Sequence, residues 1–116
     1  MPYQSLLDDL VRSVRATGAL LLDSEGEVIV EGGVRDDRQR LIGAYQGLGL
    51  AAARRALDGR GGGAIEYILC RYAEAIVILR PLKDGYYLVL SLPDHGRVGL
   101  GVHESARAQE RLNREL

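Results

Sequence analysis

The sequence predicts an α/β protein of the α+β type, a three-layer α/β/α sandwich around a five-stranded, mainly antiparallel sheet. Three segments carry apolar residues at helical spacing, and five short apolar runs lie between turn signals. Their order along the chain is α-β-β-α-β-β-β-α. A length of 116 residues leaves room for one domain, which we expect to span 1–116.

The first elements are a helix and a hairpin. Apolar residues in the range 3–16 form one stripe at helical spacing, and Gly18 is placed to end that helix. Two apolar runs, 19–22 and 28–30, flank the turn sequence Asp-Ser-Glu-Gly at 23–26. Short apolar runs around a turn that ends in glycine predict a β-hairpin.

A second helix, three strands and a C-terminal helix complete the predicted order. Asp36 or Asp37 can cap a helix that runs to about Asp58, and a last helix follows Pro93. The stripe of that last helix comprises Val98, Val102, Ala106, Gln109 and Leu112. The predicted strands are 64–72, 75–82 and 86–92, and the last two are continuously apolar, as is typical of strands covered on both faces.

Composition argues against several functional classes. The formal net charge is −1, so no overall field attracts nucleic acid or an anionic membrane. No apolar run approaches the roughly 18 residues that span a bilayer. Cys70 is the single cysteine, which excludes an intrachain disulfide, and its place in a strand predicts a buried thiol. We expect a cytoplasmic protein with neither a nucleic-acid partner nor direct membrane insertion.

The second predicted helix has an unusual composition. Residues 41–53 include no charge, although a helix that lies on a sheet needs only one apolar side. Gly43, Gly47 and Gly49 together cost about 3 kcal/mol relative to alanine. Two kinds of packing would each compensate for that cost, and both interpretations remain open. The helix packs closely against the chain's own sheet, or it packs against the same helix of a second copy.

The strand at 64–72 favours the second interpretation. Apolar residues alternate along it, and an edge strand offers unpaired backbone groups to a symmetric partner. We therefore predict a two-fold homodimer through this strand and the preceding helix. The predicted interface residues are Leu41, Gly43, Ala44, Gly47, Leu48, Ala51, Ile65, Tyr67 and Leu69.

These features resemble the Roadblock/LC7 domain family over nearly the whole chain. The resemblance rests on the hairpin Gly-Ala-Leu-Leu-Leu-Asp-Ser-Glu-Gly-Glu-Val-Ile-Val at 18–30, the glycine- and alanine-rich second helix, and the three strands before a final helix. It implies an α/β/α sandwich that dimerises through the second helix and third strand. The length is most similar to that of prokaryotic regulators of the gliding-motility GTPase.

The resemblance implies a Ras-like small GTPase as partner, with this chain modulating its nucleotide cycle or its location. Basic residues around the second helix are candidate contacts for that partner, although solvated arginines near a helix C-terminus are equally ordinary. The family has no catalytic motif, so we expect a non-catalytic regulator without catalytic residues. The candidate partner-binding residues are Arg40, Arg54, Arg55 and Arg60.

A small-molecule sensor of profilin-like or PAS-like type is the alternative. Such a module holds its ligand in an apolar cavity of several hundred cubic ångströms, here expected under the second helix. His95 and His103 have no companion cysteine cluster, so we expect surface histidines and no metal site. No cofactor is predicted.

Overall fold

The computed structural model describes residues 2–33, 49, 64–71 and 75–116. The helices are α1 (Pro2–Val14) and α2 (Val98–Glu115). The strands are β1 (Gly18–Leu22), β2 (Val28–Gly33), β3 (Ile68–Arg71), β4 (Ile76–Pro81) and β5 (Tyr87–Leu92). They form one sheet in the order β2-β1-β5-β4-β3, and every neighbouring pair is antiparallel. This sheet confirms the predicted fold class.

Helix α1 ends earlier than predicted. The helix stops at Val14 because Arg15 adopts a left-handed conformation with φ of 56°. The backbone N–H of Ala16 then donates to the carbonyl oxygen of Val11 at 3.0 Å, the hydrogen bond of a Schellman C-cap. Glycine usually occupies this position, so the sequence pointed to Gly18, which instead begins β1.

The sheet is buried on both faces. All six residues of β4 and all six of β5 are buried, as their continuous apolar sequences predicted. On one face, α1 and α2 pack against a cluster that includes Ile78 and Leu90. The opposite face carries a second cluster of Leu20, Leu22, Val77, Leu79, Tyr87 and Val89. The helix predicted over 36–58 lies outside the described residues, except for Gly49.

The buried side of α2 differs from the predicted stripe. Its buried residues are Gly101, Ser105, Ala108 and Leu112, whereas Val98 and Val102 are only half-buried. The small residues let the helix approach the sheet closely: a Cβ at Gly101 would lie 2.9 Å from Leu92 Cδ1. Of the predicted stripe, Leu112 is fully buried as expected, whereas Val98 and Val102 pack at the margin of the contact.

Asp23 organises the predicted hairpin turn, and its replacement by alanine tests that role. Its Oδ1 accepts hydrogen bonds from the backbone N–H groups of Glu25 and Glu27, at 2.9 and 3.0 Å. We expect Asp23→Ala to lower the free energy of unfolding by about 1 kcal/mol, because these are charge-assisted bonds at a solvated turn. Urea unfolding followed by circular dichroism measures the loss.

Glu25→Ala is the matched control, since it removes an exposed carboxylate of the same turn while leaving both hydrogen bonds in place. Asp23→Asn should recover part of the stability, because the amide oxygen is still an acceptor. Equal unfolding midpoints for Asp23→Ala and Glu25→Ala would contradict the role of Asp23.

Candidate protein-interaction surface

One of the two edge strands of the sheet, β3, carries exposed apolar side chains. Strand β3 pairs with β4, with Ile68 opposite Leu79 and Leu69 opposite Ile78. Leu69 is 36% exposed, and Tyr67, just before the strand, is 38% exposed. We call β3 and the preceding residues 64–67 the interaction edge.

The described strand is shorter than the predicted 64–72. Residues 64–67 precede it, and residue 72 lies outside the described residues. Continuing the β3–β4 register would place Pro81 opposite Glu66. Proline has no N–H to donate to a ladder. The carbonyl oxygen of Glu66 instead accepts from Arg80 Nη1 at 3.4 Å.

The predicted interface residues of the interaction edge do not all lie on the same face. Ile65 and Ile68 pack against the second core cluster, which fixes the edge to the sheet. Tyr67 and Leu69 are exposed, and the register places Leu69 beside Ile78, on the face that α2 covers. Cys70 is half-buried, so the prediction of a buried thiol was too strong, because an edge strand is covered less fully than a central one.

The other predicted interface and partner-binding residues lie outside the described residues. These are Arg40, Leu41, Gly43, Ala44, Gly47, Leu48, Ala51, Arg54, Arg55 and Arg60. Gly49 is described: it is helical and exposed, and a Cβ built there would meet no atom within 4 Å. No contact with the described residues therefore requires glycine at that position.

Arg80 contacts the interaction edge from the neighbouring strand β4, and sequence reasoning missed it. Although only 4% exposed, this β4 side chain donates from Nε to Ser105 Oγ at 3.0 Å and from Nη2 to the Val102 carbonyl oxygen at 2.7 Å. Its guanidinium carbon lies 4.5 Å from the centroid of the Tyr67 ring, a cation–π distance. One charged residue inside an otherwise apolar strand was the available signal.

Burial changes the acid–base behaviour of Arg80. Loss of hydration lowers the pKa of the guanidinium, while the nearby Tyr67 and the Glu66 carboxylate act in the opposite direction. The group nevertheless stays charged, since arginine remains protonated at any ordinary pH. The interaction edge therefore rests on a fixed positive charge, and not on a group that titrates near neutrality.

The strand at the opposite edge of the sheet contacts α1. Gln4 Nε2 donates to the carbonyl oxygen of Glu31 in β2 at 2.8 Å. A Cβ at Gly32 would lie 3.2 Å from Leu7, so the helix and the strand are in close contact. Ile29, also on β2, is 41% exposed. The helix contact with the β2 backbone favours β3 as the edge that receives another strand.

Small-molecule and metal sites find little support among the residues described. A shallow groove of about 180 Å³ lies between α1 and α2, smaller than the roughly 300 Å³ at which drug-sized ligand pockets begin. Its position differs from the cavity predicted under the second helix, which involves residues outside the described ranges. The described residues contain no group of three His, Cys, Asp or Glu able to hold a metal ion. Both histidines are exposed, as predicted, with His95 Nε2 lying 3.4 Å from Arg71 Nη2.

The architecture defines the class as a small α+β protein with a five-stranded antiparallel sheet, whose edge strands are β2 and β3. The chain belongs to the Roadblock/LC7 domain family, whose model matches residues 3–91. No curated protein matches it by sequence. None of the helices described is long and apolar enough to cross a bilayer.

Several solved structures share this fold. MglB of Myxococcus xanthus has a TM-score of 0.85 at 16% identity, covering 96% of this chain and 84% of that one. A Roadblock/LC7 domain of Streptomyces avermitilis has a TM-score of 0.81 at 19% identity, covering 97% and 95%. An MglB with a tetrameric arrangement has a TM-score of 0.78 at 20% identity, covering 95% and 84%. At these identities, the similarity establishes the fold.

Proposed function

We propose that this chain is a non-catalytic regulatory adaptor that forms a homodimer and binds a Ras-like small GTPase, modulating its nucleotide cycle or location. The observation that carries the proposal is the interaction edge, on which Tyr67 and Leu69 are exposed beside the fully buried strand β4. Membership of the Roadblock/LC7 family supports the adaptor role. The likeness to an MglB with a tetrameric arrangement supports self-association.

The dimer forms when β3 of one copy pairs with β3 of the other. The two sheets then become one continuous sheet, joined by antiparallel pairing of the two β3 strands. Leu69 and Tyr67 of the two copies are buried together. The predicted helix at 36–58 contributes the second part of the interface, where Gly43, Gly47 and Ala51 allow close approach between helices.

The dimer presents a rigid platform to the GTPase. Holding the switch segments of a GTPase in one conformation changes its nucleotide turnover, even when the adaptor contributes no reacting group. Arg40, Arg54, Arg55 and Arg60 are the candidate contacts, because guanidinium groups pair bidentately with carboxylates on a partner. No step of this mechanism requires a cofactor.

Binding to a Ras-like GTPase from the same genome tests the proposal. The GTPase is loaded with GDP or with a non-hydrolysable GTP analogue, and isothermal titration calorimetry measures binding to the wild-type chain. We expect binding that differs at least tenfold in Kd between the two nucleotide states, since an adaptor that shifts the switch must prefer one state.

Replacing Arg54, Arg55 and Arg60 together by alanine should weaken that binding while leaving the dimer intact. Arg12→Ala on α1 is the control, because Arg12 is an exposed arginine paired with Asp9 on the same helix. Absence of binding in both nucleotide states would reject the GTPase as partner. Equal binding by the triple variant would reject these arginines as its contacts.

A further inference from the structure

Arg80 joins three parts of the molecule that are distant in sequence. It belongs to β4, its Nε and Nη2 donate to Ser105 and Val102 of α2, and its Nη1 donates to Glu66 in the interaction edge. The Tyr67 ring lies against its guanidinium. A single buried side chain thus fixes the position of the edge relative to the C-terminal helix.

Stability alone does not account for a charge in this position. The described partners of Arg80 are hydroxyl and carbonyl oxygens, and burying a charge costs hydration that neutral acceptors replace only in part. Ser105 Oγ also donates to the Val102 carbonyl oxygen, so the hydroxyl keeps a partner without the arginine. An apolar side chain of similar length avoids the cost of burying the charge, but it leaves the Glu66 carbonyl oxygen without this donor.

Shape and donor geometry explain the choice of arginine. Its planar fork reaches three oxygens at once, and its flat face supports an aromatic ring. Residues 64–67 are not part of strand β3. Contacts other than the hydrogen bonds between strands therefore determine the position of Tyr67. Arg80 supplies two of those contacts, one to the Glu66 carbonyl oxygen and one to the Tyr67 ring.

We propose that Arg80 is a positioning residue, which holds Glu66 and Tyr67 in place against α2 so that the interaction edge is ordered before a second copy binds. The proposal rests on the proposed dimer. It also implies coupling: a partner that shifts α2 moves Val102 and Ser105, and through Arg80 it changes the presentation of Tyr67 at the dimer interface.

Arg80→Met tests the proposal with Arg107→Met as matched control. Arg107 lies on α2, outside the interaction edge, and its side chain is 64% exposed, so its replacement removes a surface charge without removing the buried contacts. Two properties are measured for each variant: amide hydrogen exchange of residues 65–68 by NMR, and the dimer Kd by sedimentation velocity. Urea unfolding at one protein concentration monitors the fold.

For Arg80→Met, we expect the chain to stay folded with a modestly lower unfolding midpoint, since a weaker dimer and lost hydrogen bonds both lower it, and with exchange at 65–68 and the dimer Kd each raised about tenfold. Arg80→Lys should behave similarly, because an ammonium group retains the charge but loses the fork and the flat face. Arg107→Met should leave both the exchange rates and the dimer Kd unchanged.

Unchanged exchange in Arg80→Met would overturn the positioning role, whatever the oligomeric state. Faster exchange with an unchanged dimer Kd would show that the order of this segment does not control dimerisation, and would overturn the proposal as well. A wild-type chain that is monomeric at tens of micromolar would reject the dimer itself, and the exchange measurement would still decide whether Arg80 orders the edge.

Discussion

Replacing Leu69 by arginine is expected to separate the proposed dimer into folded single chains, raising the dimer Kd by about a hundredfold or more. In the separate chain Leu69 is 36% exposed, so arginine at this position reaches water and the fold tolerates it. In the proposed dimer the same side chain is buried against the second copy. Two like charges would then be buried together without partners.

Ile29→Arg is the control for this prediction. Ile29 is 41% exposed on β2, the edge strand at the other side of the sheet, where Gln4 of α1 binds the strand's backbone. The change of charge and size is closely comparable, but we expect the dimer to persist. Sedimentation velocity over a hundredfold range of concentration compares wild type with both variants, and circular dichroism confirms that each is folded.

The outcomes distinguish the two edges of the sheet. A dimer lost in Leu69→Arg and retained in Ile29→Arg assigns the interface to β3. If both variants dimerise as wild type does, the interface does not include the sheet edges. Loss of the dimer in Ile29→Arg alone would assign the interface to β2 and would contradict the proposal.

Local sequence patterns were sufficient to predict the described core of the fold. The Asp-Ser-Glu-Gly turn specified the β1–β2 hairpin, because Asp23 and a glycine with positive φ meet the needs of that turn. Continuous apolar runs correctly indicated that β4 and β5 are buried on both faces. Both signals arise within a few residues, and this is why sequence alone reveals them.

Features that depend on tertiary contact were predicted less well. Arg15 adopts a left-handed conformation that lets the chain turn from α1 into β1. The residue type alone does not reveal this conformation. The buried face of α2 was misplaced because Gly101 and Ser105 matter through their small size and a hydrogen bond, and not through apolarity. Arg80 was overlooked because its partners lie on two other segments of the chain.

Gly33→Ala is expected to lower the free energy of unfolding by about 3 kcal/mol, a large share of the net stability of a small domain. Gly33 ends β2 with φ of 78°, a conformation that costs residues with a Cβ about 1–2 kcal/mol. A Cβ there would also lie 2.6 Å from the Thr17 carbonyl oxygen and 2.9 Å from the Gly18 Cα. These are backbone atoms at the start of β1, so relief requires β1 and β2 to separate at this end.

Gly99→Ala provides the comparison that isolates this effect. Gly99 lies in α2, is exposed, and has no atom within 4 Å of the position its Cβ would take. Alanine there should raise stability by up to about 0.5 kcal/mol through its higher helix propensity. Urea unfolding at equal protein concentration measures both variants, since self-association shifts the apparent midpoint. If Gly33→Ala lowers the free energy of unfolding by less than about 1 kcal/mol, then β1 and β2 can shift at this end to make room for a Cβ. Glycine at position 33 would then be a preference of the chain, and not a condition for pairing the first two strands.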